Sequence, residues 1–453
     1  MAEGITLGSC TVFGGGQPNY CAVGGVRLLH LRRRRTVVSF DANQLTNEFL
    51  FGYGTRTYSP LTADMARGAQ MSLRIEEVKN RSDLKNFIRF GFDLYSGHSC
   101  WIPPIISDEL AMFTQKKNPA FEFCEVKCWV ARTGAKIVGR IAGIINHRSN
   151  EIRGERMARF GWIDFVDDRD VSRELLSTME GWARSEGMDA VHGPLGFTDL
   201  DPEGMLVEGF DELGTIATIY NHRYYPDHLE ELGYTKDVDW VEFEILVPEE
   251  MPERVTRVAE IARKRHQLRV YEAKKTPDLL QFKSEVFSLL NESFVDLYGF
   301  VPLTEKQIEM YASKYFSFLQ PKFVSIVLDR DDKVAAFGIT MPSLSKAFQR
   351  CRGRLLPLGV FHVLRAMRRN DAADMYLVAV RPSLQGQGVN ALLLEQVGHA
   401  FRELGVRRTE TNPELEDNSR VIAQWKQFDY RQHKRRRCFV KRLGHSEGEM
   451  ASV

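Results

Sequence analysis

From residue 71 onward, the chain alternates between short apolar runs typical of strands and amphipathic stretches typical of helices. One such pattern occurs twice, about 200 residues apart. The hairpin-like segment 127–144 corresponds to 324–339, and each has a polar turn and a glycine in its second strand. We therefore predict two copies of one α/β unit, each an α+β arrangement in which helices cover a mixed sheet on both faces.

Both units are predicted to contain a strand, then a helix, then another strand. In the second unit these elements are 375–380, 389–404 and 406–411. In the first unit they are 160–166, 172–186 and 190–192. The predicted helix of the second unit has its apolar stripe at i, i+4 and i+8 spacing, and Gly405 ends it.

Residues 1–70 differ from the rest because they lack sustained periodicity and contain a glycine run and four consecutive arginines. We predict an irregular or disordered leader at 1–70, structural units at 71–250 and 251–445, and a tail at 446–453. The leader is interpreted as an upstream extension or a processed segment, with a targeting peptide as the alternative. It has no pattern of a secretory signal.

Composition excludes several classes of protein. The chain has 453 residues, 43% of them hydrophobic and 27% charged, as in ordinary globular proteins. Its net charge of +1 provides no general attraction for nucleic acid. The seven cysteines lack zinc-site spacing, so we expect reduced thiols and no metal. No apolar run is long enough to span a membrane, and we predict a cytoplasmic protein.

The segment with the strongest chemical signal is a glycine-containing turn between the strand and helix of the second unit. It reads Gln385-Gly386-Gln387-Gly388-Val389-Asn390. Backbone N–H groups in such a turn converge, and the helix N-terminus adds its positive end, so the turn suits a diphosphate. Its spacing matches neither the Rossmann pattern nor the P-loop.

With its flanks, the run V-x-P-x-x-Q-G-x-G-V-N-x-L-L resembles the acyl-CoA-binding motif of the GNAT superfamily of N-acetyltransferases. The loop of that family ends in a small residue where this chain has Asn390. A second family element, an Asn that opens the last helix and an aromatic residue twelve positions later, fits Asn418 and Tyr430. The resemblance covers most of 255–443, and the first unit shares the layout weakly, so a tandem GNAT-like chain with mostly antiparallel mixed sheets is expected.

The resemblance implies an acyl-CoA-dependent N-acyltransferase that moves an acyl group from CoA, acetyl or longer, to an amine. The acyl-CoA-binding residues that it implies are Val378, Val380, Gln385, Gly386, Gln387, Gly388, Val389, Asn390 and Asn418. The first unit is degenerate, because residues 167–170 read Asp-Asp-Arg-Asp without glycine where the diphosphate turn is expected. We expect the first unit to support the fold or to shape the acceptor pocket instead.

Three residues are candidates for catalysis. Tyr376 occupies a strand position that often holds a glutamate base in the family. Glu410 shares a strand face with Asn412 near the expected thioester, and His433 follows the last helix in an arginine-rich strand. The alternatives are an ion-paired Glu410 and a surface His433. The family's frequent proton donor aligns with Trp425, whose indole is a poor acid. A non-catalytic acyl-CoA or lipid-binding protein of the same fold is therefore the alternative function.

Two basic segments and one long loop bear on the acceptor. Segment 343–369 has basic ends and an apolar centre, which favours either peripheral contact with an anionic membrane, at the inner membrane surface, or an insertion packed on the body. The cluster 431–437 is a candidate for binding the 3′-phosphate of CoA or an anionic acceptor, whereas nucleic acid is not expected. The glycine-rich connection 193–210 is a candidate wall of the acceptor pocket. Tandem chains of this layout resemble enzymes that acylate lipid amines, so a lipid amine joins small amines as a candidate acceptor.

Overall fold

The computed structural model describes residues 72–315 and 319–444. The predicted leader 1–70 and tail 446–453 lie outside the described residues. We call residues 72–246 the first half and residues 247–444 the second half.

The first half contains seven strands and five helices. Its strands are β1 (Leu73–Glu77), β2 (Cys124–Thr133), β3 (Lys136–Asn146), β4 (Met157–Phe165), β5 (Ala190–Gly193), β6 (Met205–Glu208) and β7 (Thr235–Leu246). Its helices are α1 (Arg81–Leu94), α2 (Ile106–Met112), α3 (His147–Arg153), α4 (Arg169–Ser185) and α5 (Tyr224–Glu231).

The described part of the second half contains seven strands and eight helices. Its strands are β8 (Arg269–Tyr271), β9 (Val324–Leu328), β10 (Val334–Pro342), β11 (Ala372–Val380), β12 (Arg408–Thr411), β13 (Glu414–Leu415) and β14 (Tyr430–Arg442). Its helices are α6 (Glu253–His266), α7 (Pro277–Leu280), α8 (Lys283–Phe294), α9 (Glu305–Tyr315), α10 (Ser345–Cys351), α11 (Gly359–Arg368), α12 (Val389–Glu403) and α13 (Ser419–Trp425).

All these strands belong to one sheet of fourteen strands. Its main order is β1-β2-β3-β4-β5-β14-β7-β12-β11-β10-β9-β8. Outside this order, β6 pairs with β14, and β13 pairs with β7. The pairs β4–β5 and β11–β12 are parallel, and the other strand pairs of the described chain are antiparallel. The two halves therefore repeat one arrangement in mirrored order along the sheet, which confirms the predicted fold class.

The two halves exchange their last strands. β7 is the last strand of the first half in sequence, but it pairs with β12 of the second half. β14 is the last strand of the second half, but it pairs with β5 of the first half, and β7 and β14 pair with each other along ten positions. The halves are thus joined by backbone hydrogen bonds through the centre of the sheet.

The crossover helices form where their apolar stripes predict them. Helix α12 buries Leu393, Val397 and Phe401 on one face, and α4 buries Leu175 and Met179 against β3 and β4. Helix α4 begins three residues earlier than predicted because the Asp168 side chain caps it, accepting hydrogen bonds from the next turn. Among the helices of the described residues, none combines the length and apolar character needed to cross a bilayer.

Candidate active site

A cavity of about 1670 Å³ lies between the two halves. One side is formed by β11, the glycine turn (385–390) and the start of α13. The other side is formed by first-half residues that include Tyr95, Trp101 and the loop after β5. This volume exceeds the range of about 300–1,000 Å³ that is usual for small-molecule sites.

The cavity reaches a gap where two parallel strands separate. β11 pairs with β12 only from Ala372 to Met375, after which Asn412 donates hydrogen bonds to the Met375 and Tyr376 carbonyls. Beyond that point β11 continues to Val380 without a strand neighbour on this side. Val378 is 46% exposed there. The separation places the last residues of β11 in the cavity wall.

The glycine turn has the backbone geometry that its sequence predicts. Gly386 and Gly388 have φ angles of +72° and +83°, which side chains with a Cβ rarely adopt. The Gln385 and Gln387 amides donate to the carbonyls of Pro382 and Leu384, just before the turn. The N–H groups of Gly386, Gly388, Val389 and Asn390 have no acceptor among the described residues. Four donors at the N-terminus of α12 are therefore available to an anion.

The equivalent turn of the first half is closed by protein atoms. The Asp168 carboxylate accepts hydrogen bonds from the amides of Asp170 and Val171 at 2.9 and 3.4 Å. The gap between β4 and β5 is filled as well, because the Leu195 amide donates to the Phe160 carbonyl at 2.8 Å. The Asp168 carboxylate thus occupies two of the amides at the start of α4 and adds negative charge there, which opposes an anion.

Most of the residues predicted to bind acyl-CoA line the cavity: Val378, Val380, Gln385, Gly386, Gly388, Val389, Asn390 and Asn418. Gln387 is not among the lining residues, because its side chain turns back to donate to the Ser383 carbonyl at 2.7 Å. Asn418 caps α13 as predicted, accepting a hydrogen bond from the Val421 amide. Their role in binding remains a prediction.

The three candidate catalytic residues occupy different environments. Tyr376 lines the cavity, and its hydroxyl donates to Asp374 at 3.3 Å. Glu410 and His433 are not among the described residues that line it. The Glu410 carboxylate contacts the Lys434 ammonium and lies 3.1 Å from His433 Nε2. This geometry agrees with the ion-paired alternative for Glu410, and the catalytic roles of all three remain predictions.

The Lys434 ammonium also contacts Glu242, at 3.2 Å. Burial by itself raises the pKa of Glu242, but Arg436 and Lys434 outweigh that effect and hold it below the usual value. Glu242, Glu410 and His433 bring potential metal-ligand atoms within 4.8 Å of one another. Since Lys434 already supplies positive charge between the two carboxylates, a metal ion would have to displace it. The expectation that no metal takes part stays a prediction.

A carboxyl group that the sequence analysis missed lies in the cavity wall. Glu414, in β13, lines the cavity, and the Trp425 indole N–H donates to both of its oxygens at 3.1 Å. Burial raises the pKa of Glu414 to about 7, although the hydrogen bond from Trp425 opposes that shift. Trp425, which the resemblance aligns with the family's proton donor, here donates to the Glu414 carboxyl group.

Further carboxyl groups lie on the first-half side, in the acidic loop (199–203). Asp199 and Glu203 line the cavity, and Asp199 Oδ1 and Glu203 Oε2 are buried atoms without a hydrogen-bond partner in the described chain. Asp201 instead accepts from the amides of Phe197 and Thr198, which shapes the loop. Burial raises the pKa of Asp199 to about 7 and raises that of Glu203 well above its ordinary value.

The basic cluster 431–437 in β14 is neutralised by acidic side chains. Arg431 pairs with Glu212 and Glu244, and Arg435 pairs with residues that include Glu416. The remaining cations of the cluster also have carboxylate partners: Lys434, Arg436 and Arg437. These cations therefore join β14 to neighbouring strands, and none of them is a free charge for an external phosphate.

No known protein-family model matches this chain. It is 27% identical over 374 residues to "Protein YghO" of Escherichia coli strain K12, covering 80% of this chain and 94% of that protein. It is also 27% identical over 356 residues to a "Bacterial ceramide synthase" of Caulobacter vibrioides, covering 76% of this chain and 91% of that protein.

Solved structures with a similar fold include a tandem GNAT protein from the clavulanic acid biosynthesis pathway. That match has 14% identity and a TM-score of 0.48, and it covers 83% of this chain and 100% of that protein. In the present chain, two halves with one strand order each place a crossover helix between parallel strands. The chain resembles tandem GNAT proteins, as its sequence predicts.

Proposed function

We propose that this protein is an acyl-CoA-dependent N-acyltransferase that transfers an acyl group from CoA to an amine. The observation that carries the proposal is the glycine turn, whose four free amide donors lie at the N-terminus of α12 and at the wall of the large cavity. A diphosphate is the group that such a turn suits, because several N–H groups and the helix dipole all favour negative charge.

The separated end of β11 continues the proposed binding surface. A pantetheine arm that leaves the turn passes Val380 and Val378, whose strand edge has no neighbour among the described strands on that side. The thioester then lies where β11 and β12 part, close to Asn412 and the β13 segment. Binding in this gap would orient the thioester towards the acceptor side of the cavity.

Glu414 is the proton acceptor that we propose for the reaction. The amine nitrogen bonds to the thioester carbonyl carbon, the carbon–sulfur bond breaks, and CoA leaves as a thiolate that takes a proton from solvent. The proton lost by nitrogen passes to the Glu414 carboxylate, directly or through water. A carboxyl with a pKa of about 7 suits this work, because it is partly ionised at neutral pH and still basic enough to accept a proton.

The acidic loop supplies the attraction for the amine. An ammonium group beside Asp199 and Glu203 would favour their charged forms and lower their raised pKa values, and it loses one proton to solvent before its nitrogen attacks the thioester. Apolar residues such as Trp101 and Phe348 line the same cavity, so it can also hold a long chain. Together with the name of the Caulobacter relative, this lining supports a long-chain lipid amine as the acceptor.

The experiment is a thiol-release assay with acyl-CoA donors from acetyl-CoA to palmitoyl-CoA, each offered short and long-chain amines. Amine-dependent release of free CoA, with the amide identified by mass spectrometry, is the expected result. The alternative is a non-catalytic acyl-CoA-binding protein, favoured by the indole of Trp425 at the position of the family's acid. Tight acyl-CoA binding without thiol release for any amine would select that alternative and reject the enzyme.

A further inference from the structure

The basic insertion (343–369) contributes an apolar surface to the outside of the molecule. It lies between β10 and β11 and contains α10 and α11. Leu356, Leu358, Phe361 and Leu364 are 76%, 69%, 65% and 44% exposed. They are four of the ten large apolar side chains that are exposed in the described chain, so exposure of this kind is concentrated here.

Cations surround this apolar surface. Segment 343–369 contains seven lysine and arginine residues and no acidic residue. Their side chains are all exposed, and none makes a salt bridge with a described residue: Lys346, Arg350, Arg352, Arg354, Arg365, Arg368 and Arg369. The cluster 431–437 shows the opposite arrangement, since acidic partners surround its cations. The insertion therefore has positive charge that the rest of the fold does not neutralise.

The insertion is nevertheless fixed to the body. Ala347, Cys351 and Val363 are buried in a small core with Leu344. The Ile106 amide donates to the Gly353 carbonyl at 3.0 Å, which ties the segment to α2 of the first half. One face of the insertion is thus packed, and the opposite face presents apolar side chains framed by cations.

We infer that the basic insertion docks the protein on an anionic lipid bilayer. Exposed leucine and phenylalanine side chains enter the interface between headgroups and acyl chains, while the surrounding arginines lie against anionic headgroups. Charge complementarity selects an anionic bilayer over a neutral one. The absence of acidic residues from the segment removes the repulsion that would oppose this contact.

Docking brings the cavity to the membrane. Phe348, Leu355 and Val363 of the insertion line the cavity, so the segment that carries the docking surface also forms part of the cavity wall. If the proposed acyl transfer is correct, a lipid amine reaches the acidic loop from the bilayer past these residues. The docking itself does not depend on that reaction.

Vesicle flotation of the full chain tests the docking. The protein is expected to float with vesicles that contain phosphatidylglycerol and to stay behind with pure phosphatidylcholine vesicles. The double variant Leu358→Glu/Phe361→Glu should lower the bound fraction at least about tenfold, because two charged groups replace inserted apolar ones. The matched control Ile261→Glu/Leu280→Glu changes two exposed apolar residues elsewhere, 56% and 49% exposed, and should bind as the parent does.

A second pair of variants tests the charge. Each basic side chain near an anionic surface strengthens partition about fivefold, so Arg365→Gln/Arg368→Gln should weaken it about 25-fold. Lys116→Gln/Lys426→Gln removes the same charge from exposed residues outside the insertion and should have no such effect. Unchanged thermal unfolding shows that a variant has folded.

Several results would overturn the inference: no flotation of the parent, equal binding to neutral vesicles, or equal losses in the control variants. Self-association that Leu358→Glu/Phe361→Glu abolishes, without vesicle binding, would assign the surface to a second copy of the chain. A thiol-release assay with a water-soluble short amine separates this inference from the proposed function. Such an amine does not have to come from a bilayer, so the variants of the insertion should retain full thiol-release activity with it.

Discussion

The two halves of this protein contain the same strand, turn and helix, but the turns have opposite chemistry. In the first half, Asp168 caps α4 and its carboxylate occupies the amides at the helix start. In the second half, Gly388 stands at the cap position of α12 without a side chain, and the amides remain free. One turn stabilises its own helix, whereas the other leaves its donors for a ligand.

The strands that follow these helices differ as well. β5 leads into the acidic loop, while β12 leads through Pro413 to Glu414 beside Trp425. Under the proposed function, the second half binds the donor and accepts the proton, and the first half receives the amine. Two copies of one fold thus carry out different parts of the proposed reaction.

Removing the carboxylate of Glu414 should have the largest effect. Glu414→Gln keeps the shape and the cavity wall, so acyl-CoA binding should persist while kcat falls roughly 100- to 10,000-fold, the usual loss when a general base is removed. Single-turnover kinetics and a separate binding titration measure the two quantities. Glu416→Gln, two residues further on and outside the cavity lining, serves as the control. A variant Glu414→Gln with full activity would exclude the role.

The pH dependence tests the same group. Because the carboxylate form of Glu414 is the active one, kcat should rise with pH through about 7, where burial places its pKa. The Trp425 N–H bond lowers that pKa, so Trp425→Phe should move the rising limb to higher pH and reduce activity at neutral pH. A limb that stays in place in Trp425→Phe would contradict the assignment.

Changing the glycine turn should weaken donor binding strongly. Gly386→Val imposes a side chain at a φ of +72°, and losing two hydrogen bonds of about 1.5 kcal/mol each would weaken acyl-CoA binding about 100-fold. Gly405→Val is the matched control, because Gly405 ends the same helix at a φ of +73° and also has open space around it. Equal affinity in both variants, measured by isothermal titration, would remove the turn from the site.

Neutralising the acidic loop should weaken the binding of the amine and leave the binding of acyl-CoA unchanged. Asp199→Asn/Glu203→Gln should raise the KM for the amine about tenfold, the effect of losing one charge-assisted hydrogen bond, with the acyl-CoA affinity unchanged. Steady-state kinetics with each substrate varied in turn measures both values. A rise in the donor KM alone would reverse the assignment of the two sides of the cavity.

The smallest effect is expected at the capped turn of the first half. Asp168→Ala removes the N-cap of α4 and should lower the free energy of unfolding by about 1 kcal/mol. Acyl-CoA affinity should not change, because the proposed donor site is the glycine turn of the second half. Denaturant unfolding and binding titration give the two readings. A gain or loss of affinity here would show that the first half also contacts the donor.

The sequence was informative where the chemistry is local. The glycine turn and the helix start at Asn418 are each encoded within a few consecutive residues, and the structure has a turn with positive φ angles and an Asn cap at these positions. Glu414 could not be predicted from the sequence, because its environment depends on distant residues. Its hydrogen-bond donor, Trp425, is eleven residues away, and the opposite wall of its cavity lies in the first half.

The partners of the cluster 431–437 could not be predicted for a similar reason. A run of arginines shows positive charge, but several of the carboxylates that pair with it lie about 190–220 positions earlier, as Glu242 and Glu212 do for Arg436 and Arg431. The exchange of β7 and β14 was hidden as well. A repeat reveals that two units are alike, yet the pairing of a particular strand depends on contacts distant along the chain.

The exchanged strands have a consequence for biosynthesis. While the ribosome produces the first half, the edge of β5 has no neighbour on its inner side, because β5 ends at Gly193 and its partner β14 begins only at Tyr430. An open edge of this kind can pair with other chains, and folding of the nascent protein cannot finish one half at a time. Closure of the sheet must wait for the last strand to emerge.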